Sequence, residues 1–203
     1  MISATDALAR LRDGNRRFAS HVRGGDVFLS RAERMELPTS QEPSAIVLGC
    51  SDARVPAEIV FDQGLGDLFV IRVAGNIVAP SQVGSVEFAA SKFNTKLVVV
   101  MGHSWCGAIT AAVEELLDGA KPESRNLSSI VDRVMPSVRA VIDGHRDVDR
   151  TTLIREAVRA NVRASVDHLR HGSPLLEDLV QNNGLVIVGA KYSLDTGVVT
   201  FLD

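Results

Sequence analysis

One apolar stretch sets the pattern of the whole chain: Leu97-Val98-Val99-Val100-Met101, which runs on into Gly102-His103. An uninterrupted run of this kind, rich in β-branched residues, is typical of a strand that is buried on both faces of a parallel sheet. Ala45-Ile46-Val47-Leu48 is a second such run and leads to Cys50, and Leu68-Phe69-Val70-Ile71-Arg72-Val73 is a third. Together these runs predict a central, mostly parallel β-sheet.

Helices are predicted in the segments that separate the strands. Apolar residues recur there at intervals of three and four, the spacing that gives a helix one buried face. Pro136 lies inside one of these segments and predicts a kink or a break. The predicted helices cover residues 4–19, 81–93, 107–117, 126–142 and 151–171, with a shorter helix from 174 to about 181.

The two ends of the chain lie outside this alternation. Residues 185–192 and 198–202 are joined by a short polar turn and predict a hairpin at one edge of the sheet. Residues 1–43 predict a helical arm whose second half is rich in glycine and proline, and we expect it to pack on a neighbouring subunit. We therefore predict a single α/β domain over residues 1–203, with a central, mostly parallel β-sheet flanked by helices.

The composition of the chain narrows the class of partner. Its 203 residues are 45% hydrophobic, and its net charge is −3 with acidic and basic residues interspersed. Such a surface has no electrostatic footprint for a nucleic acid or a phospholipid membrane, so a small molecule is the expected partner. No apolar run approaches the roughly 20 residues needed to cross a bilayer, and no signal-peptide hydrophobic region is apparent. We therefore expect a cytoplasmic protein.

The two cysteines of the chain lie where a parallel sheet forms ligand sites. Cys50 and His103 each follow or end a predicted strand, and the carboxyl ends of parallel strands meet at one edge. Cys106 comes three residues after His103, at the entry of a helix, and can reach the same ion. Two thiolates and an imidazole suit zinc, and three protein ligands leave one position for water or substrate. The alternatives are a closed structural site with Asp52 as fourth ligand and a metal-free thiol redox pair.

Asp52 and Arg54 follow the first cysteine two residues apart. On an extended turn both side chains can face the same way, with the carboxylate against the guanidinium. The spacing alone is equally compatible with an ordinary structural ion pair.

At this point the residues resemble the β-class carbonic anhydrases. Two motifs carry the resemblance: Cys-x-Asp-x-Arg at residues 50–54, after a buried strand, and His-x-x-Cys-Gly at residues 103–107. The N-terminal helix motif at 11–18 and the segments 41–44, 69–76 and 189–192 also fit, so the resemblance covers nearly the whole chain.

The resemblance implies a zinc enzyme that interconverts carbon dioxide and bicarbonate, with one Zn²⁺ per chain held by Cys50, His103 and Cys106. Hydroxide formed from water on the ion would attack carbon dioxide. Asp52 would orient that hydroxide, and Arg54 would keep Asp52 ionised and away from the metal.

The resemblance also implies the contacts with the substrate. Gln41 and the backbone N–H of Gly107 would contact substrate oxygens, while Phe69 and Phe88 would line an apolar pocket for carbon dioxide. In the family this cleft lies at a dimer interface, which implies a homodimer or a homotetramer built from dimers.

The chain departs from one subgroup of the family, in which the aspartate ligates zinc and a separate pocket traps bicarbonate. That pocket has a tryptophan at the position of Val47, which argues against it here, although Arg72 and Tyr192 resemble other parts of it. Trp105 lies between two ligands, where smaller or more polar residues are commoner in the family. Asp52 can bind zinc even without that pocket, so the sequence does not decide between a water-bound and an Asp52-bound ion. The alternative functions are hydrolysis of carbon disulfide or carbonyl sulfide on the same fold and a non-catalytic zinc module.

Overall fold

The computed structural model describes residues 2–20, 41–144 and 148–202, and within them it contains one five-stranded sheet. The strands are β1 (Ala45–Gly49), β2 (Leu68–Arg72), β3 (Leu97–His103), β4 (Val186–Tyr192) and β5 (Val199–Leu202). The helices are α1 (Ala4–Ala19), α2 (Ala57–Val60), α3 (Pro80–Lys92), α4 (Gly107–Asp118), α5 (Arg125–Gly144), α6 (Arg150–His171) and α7 (Pro174–Asn182), with a 3₁₀ turn at Ala74–Asn76.

The sheet has the strand order β2-β1-β3-β4-β5. The first four strands are parallel, and β5 pairs antiparallel with β4 at one edge, which confirms the predicted C-terminal hairpin. Every residue of β1 and of β3 is buried, because these strands are covered by helices on both faces. This double burial explains why their sequences are apolar without alternation.

The helices form two layers around the sheet. On one face, α1 and α2 pack against Val47, Val99 and Met101. On the other face, α3, α6 and α7 pack against the alternate residues of the same strands, such as Leu48 and Val100. The predicted sheet flanked by helices is therefore confirmed. No helix in the described part of the chain is long and apolar enough to span a bilayer.

The predicted N-terminal helix is confirmed as α1, which begins after the N-cap Ser3. Its buried Asn15 ties the helix to two distant segments: Nδ2 donates to the carbonyls of Val60 and Gly197, and Oδ1 accepts from the Val199 amide. Residues 21–40 of the predicted arm lie outside the described residues. The packing of the arm on a neighbouring subunit stays a prediction.

Of the kink or break predicted at Pro136, the break is wrong, because α5 runs through this residue as one helix, and the kink stays a prediction. Proline removes one intrahelical hydrogen bond and leaves the carbonyl four residues earlier without its donor. Pro136 and Asp132 are both exposed, so water can satisfy that carbonyl. The buried side of the helix, which includes Val134 and Val138, keeps its packing.

Two glycine substitutions are expected to change stability in opposite directions. A Cβ on Gly14 would overlap the carbonyl oxygen of Phe61, so Gly14→Ala must push α1 away from α2. Overpacking of this kind should lower the free energy of unfolding by about 2 kcal/mol. A Cβ on Gly84, inside α3, meets nothing within 4 Å, so Gly84→Ala should raise it by up to about 1 kcal/mol. Urea unfolding of both variants tests this, and a Gly14→Ala protein as stable as wild type would contradict it.

Candidate metal centre

Three potential metal ligands meet at the carboxyl edge of the sheet. Cys50 directly follows β1, His103 is the last residue of the adjacent strand β3, and Cys106 is the N-cap residue of α4. All three are buried, and their donor atoms lie within 4.8 Å of one another. The structure thus brings together the three residues that the sequence predicted.

The imidazole of His103 is oriented for coordination. Its Nδ1 lies 2.9 Å from the carbonyl oxygen of Ser104, which can only accept, so Nδ1 carries the proton and donates it. The lone pair is therefore on Nε2, which is fully buried and has no hydrogen-bond partner among the described residues. A buried nitrogen acceptor without a partner costs free energy, and a metal ion in the Cys50–Cys106 cluster would remove that cost.

The turn between the two later ligands is held against β4. Ser104 donates its amide to the carbonyl of Tyr192 at 3.0 Å, and its Oγ accepts from the amide of Leu194 at 2.9 Å. Trp105 then takes a left-handed conformation with a φ of 60°, which turns the chain so that the next residue, Cys106, faces back to the site. The Trp105 side chain is 50% exposed and lies at the rim.

The thiol of Cys50 is held by the 3₁₀ turn that follows β2. The amide of Gly75 donates to Cys50 Sγ at 3.3 Å. Gly75 has a φ of 71°, and a Cβ there would lie 2.9 Å from the Cβ of Ala108 in α4, so only glycine fits. Asn161 of α6 fixes the turn from behind, because its Nδ2 donates to the carbonyl of Gly75 at 2.9 Å.

The two thiols contact each other, and ionisation of one opposes ionisation of the other. A hydrogen bond from Cys106 lowers the pKa of Cys50, and the amide of Gly75 acts in the same direction. The same contact and burial raise the pKa of Cys106, since a second thiolate would face the first. A divalent cation is what allows both sulfurs to be thiolates at once. The donor set therefore fits a single zinc ion.

Asp52 and Arg54 form the predicted ion pair. Asp52 Oδ1 accepts from the backbone amide and from Nε of Arg54, both at 2.9 Å, and Oδ2 accepts from Nη2 at 2.7 Å. These bonds hold the pKa of Asp52 well below its usual value. Oδ2 lies 3.9 Å from Nε2 of His103, so the carboxylate is next to the three potential metal ligands. It is not one of the three.

Arg72 clamps the loop that carries both the ligand and the ion pair. Its Nε donates to the carbonyl of Cys50 at 3.0 Å, and its Nη2 donates to the carbonyl of Asp52 at 2.6 Å. The sequence pointed to Arg72 and Tyr192 only through their resemblance to a bicarbonate pocket. They lie on β2 and β4, whose backbones are three strand spacings, about 14 Å, apart.

Of the predicted substrate contacts, only Gly107 lies beside the ligands within one chain, since it follows Cys106 directly. Phe69 pairs with Ile46 in the sheet, four residues before Cys50, and is thus about 13 Å along the strand from that ligand. Gln41 is exposed, and Phe88 is 53% exposed.

Phe69 and Phe88 instead join Phe93 in an aromatic cluster on the β2 side of the sheet. The ring centroids are 6.3 Å apart for Phe69 and Phe88, 6.1 Å for Phe69 and Phe93, and 5.6 Å for Phe88 and Phe93. The cluster is not part of the metal centre of its own chain.

Two residues that support the centre were not predicted from the sequence. Asn161 and Ser165 are polar side chains on the otherwise apolar buried face of α6, and they donate to the carbonyls of Gly75 and Asn76. Their spacing of four residues on a buried helical face indicates that they need buried partners, but it does not indicate which groups those partners are.

The chain is similar to known proteins over most of its length. A family model described as carbonic anhydrase matches residues 45–199. Carbonic anhydrase 2 of Mycobacterium tuberculosis is 39% identical over 189 residues, which cover 92% of this chain and 87% of that protein. A carbonic anhydrase of Mycolicibacterium smegmatis is 37% identical with the same coverage. Among solved structures, the β-carbonic anhydrase CcaA superimposes with a TM-score of 0.78 at 26% identity, covering 98% of this chain and 86% of that one.

Proposed function

The chain belongs to the β-class carbonic anhydrase family, and we propose that Cys50, His103 and Cys106 are the ligands of its single zinc ion. As a carbonic anhydrase it interconverts carbon dioxide and bicarbonate. When bound, zinc supplies a Lewis acid that lowers the pKa of water to about 7 and so provides a nucleophile at neutral pH. The observation that carries the ligand assignment is the buried Nε2 of His103, which lies beside two cysteines and has no hydrogen-bond partner in the part of the chain that the structure describes.

Asp52 is proposed to orient the nucleophile. Its carboxylate is ionised, because three hydrogen bonds from Arg54 stabilise the charge, and an ionised carboxylate can only accept. Oδ2, on the side of the ligand cluster, therefore accepts a hydrogen bond from the attacking oxygen and directs its lone pair at carbon dioxide. Asp52 holds a proton donor in place without itself taking the proton.

An open site at rest is supported by the same three hydrogen bonds. For Asp52 to become a fourth ligand, its carboxylate must leave Arg54 and the guanidinium must lose its bidentate partner. We therefore propose that Asp52 stays on Arg54 and that the fourth coordination position is open to water and substrate. The backbone N–H of Gly107, next to Cys106, is the proposed donor to a substrate oxygen.

The remaining substrate contacts are proposed to come from a second copy of the chain. β2 is an edge strand with no partner on its outer side among the described residues, and the aromatic cluster of Phe69, Phe88 and Phe93 lies beside it. Pairing of two copies here, with the arm of residues 1–43 packed across, would cover these rings and bring Gln41, Phe69 and Phe88 to the partner's metal centre. We propose a homodimer or a tetramer of such dimers. Light scattering that gives the 21.8 kDa mass of one chain would overturn this.

The activity is tested by stopped-flow hydration of carbon dioxide on the zinc-loaded protein. We expect turnover between about pH 7 and 9, where water on the ion ionises. The same preparation is assayed with carbon disulfide and carbonyl sulfide, which the comparisons do not favour as substrates. Full zinc content without hydration at any of these pH values would favour the non-catalytic zinc module. Less than about half a zinc per chain after mild purification would favour the thiol pair.

We propose a cytoplasmic location, which suits two free buried cysteines.

A further inference from the structure

A second cleft lies between α3 and α6, and none of the three proposed zinc ligands lines it. Its volume is about 680 Å³, which is in the range of small-molecule sites. One wall is the face of α3 from Pro80 to Glu87, and the other is the face of α6 from Asn161 to His168. Gly84 and Ala164 are the small residues that leave room between the two helices.

One end of the cleft is formed by residues 77–80 and the start of α3. Pro80 has no N–H, and the amides of Gln82 and Val83 donate to the carbonyl of Ala79, so the positive charge at this end comes from Arg133. Arg133 of α5, an exposed residue, also lines the cleft, and the adjacent residue Val134 packs 3.4 Å from the Cβ position of Gly75, two residues before Ile77 of this end. Nη1 of Arg133 donates to the carbonyl of Ser129, and the other guanidinium donors have no partner among the described residues.

The opposite end carries a hydrogen-bond acceptor. Glu87 lies seven residues along α3 from Pro80, about 10 Å away. Its Oε1 accepts from Oγ of Ser173 at 2.6 Å, which leaves Oε2 for a ligand. His168, the remaining titratable group of the cleft, is exposed at the same end, beside Gly172.

The cleft and the metal centre lie on opposite sides of the same turn. Asn161 and Ser165 on the cleft wall donate to the carbonyls of Gly75 and Asn76, and the amide of Gly75 donates to Cys50 on the other side. Two polar side chains of the α6 wall are thus buried and fixed by hydrogen bonds, so this part of the cleft is preformed.

We propose that this cleft is a second ligand site, which binds a small organic anion about 10 Å long. Its carboxylate lies at the Arg133 end, an apolar chain contacts Val83 and Val78, and a hydroxyl at the far end donates to Glu87. This site is separate from the zinc-dependent activity.

The proposal is tested by calorimetric titration of the zinc-loaded protein with 6-hydroxyhexanoate. Arg133→Gln should weaken binding roughly tenfold, because it removes the charged partner of the carboxylate. Arg139→Gln is the matched control: it makes the same change on the same helix, at an exposed residue that does not line the cleft, and should leave affinity within about twofold. Equal affinity of the two variants would overturn the proposal and would place the anion elsewhere, for example at zinc.

The orientation of the ligand is tested with hexanoate, which lacks the hydroxyl. Wild type should bind 6-hydroxyhexanoate several-fold more tightly than hexanoate, and Glu87→Ala should abolish that preference, because it removes the acceptor. If hexane-1,6-diol, which lacks the carboxylate, binds as tightly as 6-hydroxyhexanoate, the cleft does not select anions and the proposal fails. Heat of binding does not depend on turnover, so these outcomes are independent of the proposed zinc chemistry.

Discussion

Replacing Cys106 by serine is expected to remove zinc from the protein and with it the hydration of carbon dioxide. A serine hydroxyl is a hard, protonated donor, and it cannot replace the thiolate that zinc prefers. Only Cys50 and His103 would then remain, and the ion would lose one of its two charge-neutralising ligands. We expect zinc to fall below about one tenth of an equivalent per chain and turnover to fall to background.

Cys106→Ser is a suitable test of the ligand assignment because it preserves the local fold. Cys106 is the N-cap residue of α4, and serine is among the best residues at that position. Elemental analysis after gel filtration measures the zinc, and circular dichroism checks that the helices remain. Ser51→Ala, at an exposed position of the same edge, should retain wild-type zinc. A Cys106→Ser protein that still holds one zinc per chain would remove Cys106 from the ligand set.

The sequence predicted the sheet and the ligands because both depend on short-range patterns. β1 and β3 are buried on both faces, so their apolar runs are uninterrupted, and parallel strands necessarily bring their carboxyl ends together. The placement of Cys50 and His103 followed from that geometry. Asp52 and Arg54, two residues apart, needed only a local turn to pair.

The residues that hold the centre in place could not be predicted in the same way. Arg72 reaches the carbonyls of Cys50 and Asp52 from the neighbouring strand, and Asn161 reaches Gly75 from a helix 86 residues later in the chain. Such contacts depend on the register of β2 and on the rotation of α6 over the sheet. Neither quantity is encoded in a local motif.

The substrate pocket shows a second limit of prediction from sequence. Motif resemblance places Phe69 and Phe88 in the pocket, yet in one chain they form a separate cluster at the β2 edge. A sequence motif records which residues act together, and it does not record which subunit supplies each of them. The effect of Pro136 on α5 was also not predictable from the sequence, because it depends on whether water reaches the freed carbonyl.

Replacing Asp52 by asparagine is expected to leave zinc bound while it removes most of the activity. Asp52 is outside the group of three donors, so one equivalent of zinc should remain. Asparagine has nearly the same shape and can still accept from Arg54 through its oxygen, but it carries no charge and presents N–H donors. If the amide faces the nucleophile, its N–H competes for the lone pair that must attack carbon dioxide. Loss of an oriented acceptor of this kind should lower kcat/KM by roughly 10²- to 10³-fold at neutral pH.

The matched control for Asp52→Asn is Asp118→Asn, which makes the same change in a second aspartate–arginine pair. Asp118 accepts from Arg150 at 2.7 Å on the surface, at the end of α4 away from Cys106. Its loss should leave kcat/KM within about twofold of wild type, since exposed ion pairs contribute little. If Asp52→Asn retains both zinc and more than half of the activity, Asp52 has no part in the reaction. If Asp52→Asn loses both zinc and activity, the Asp52 carboxylate is a zinc ligand. The resting site is then closed, and the proposed open site is wrong.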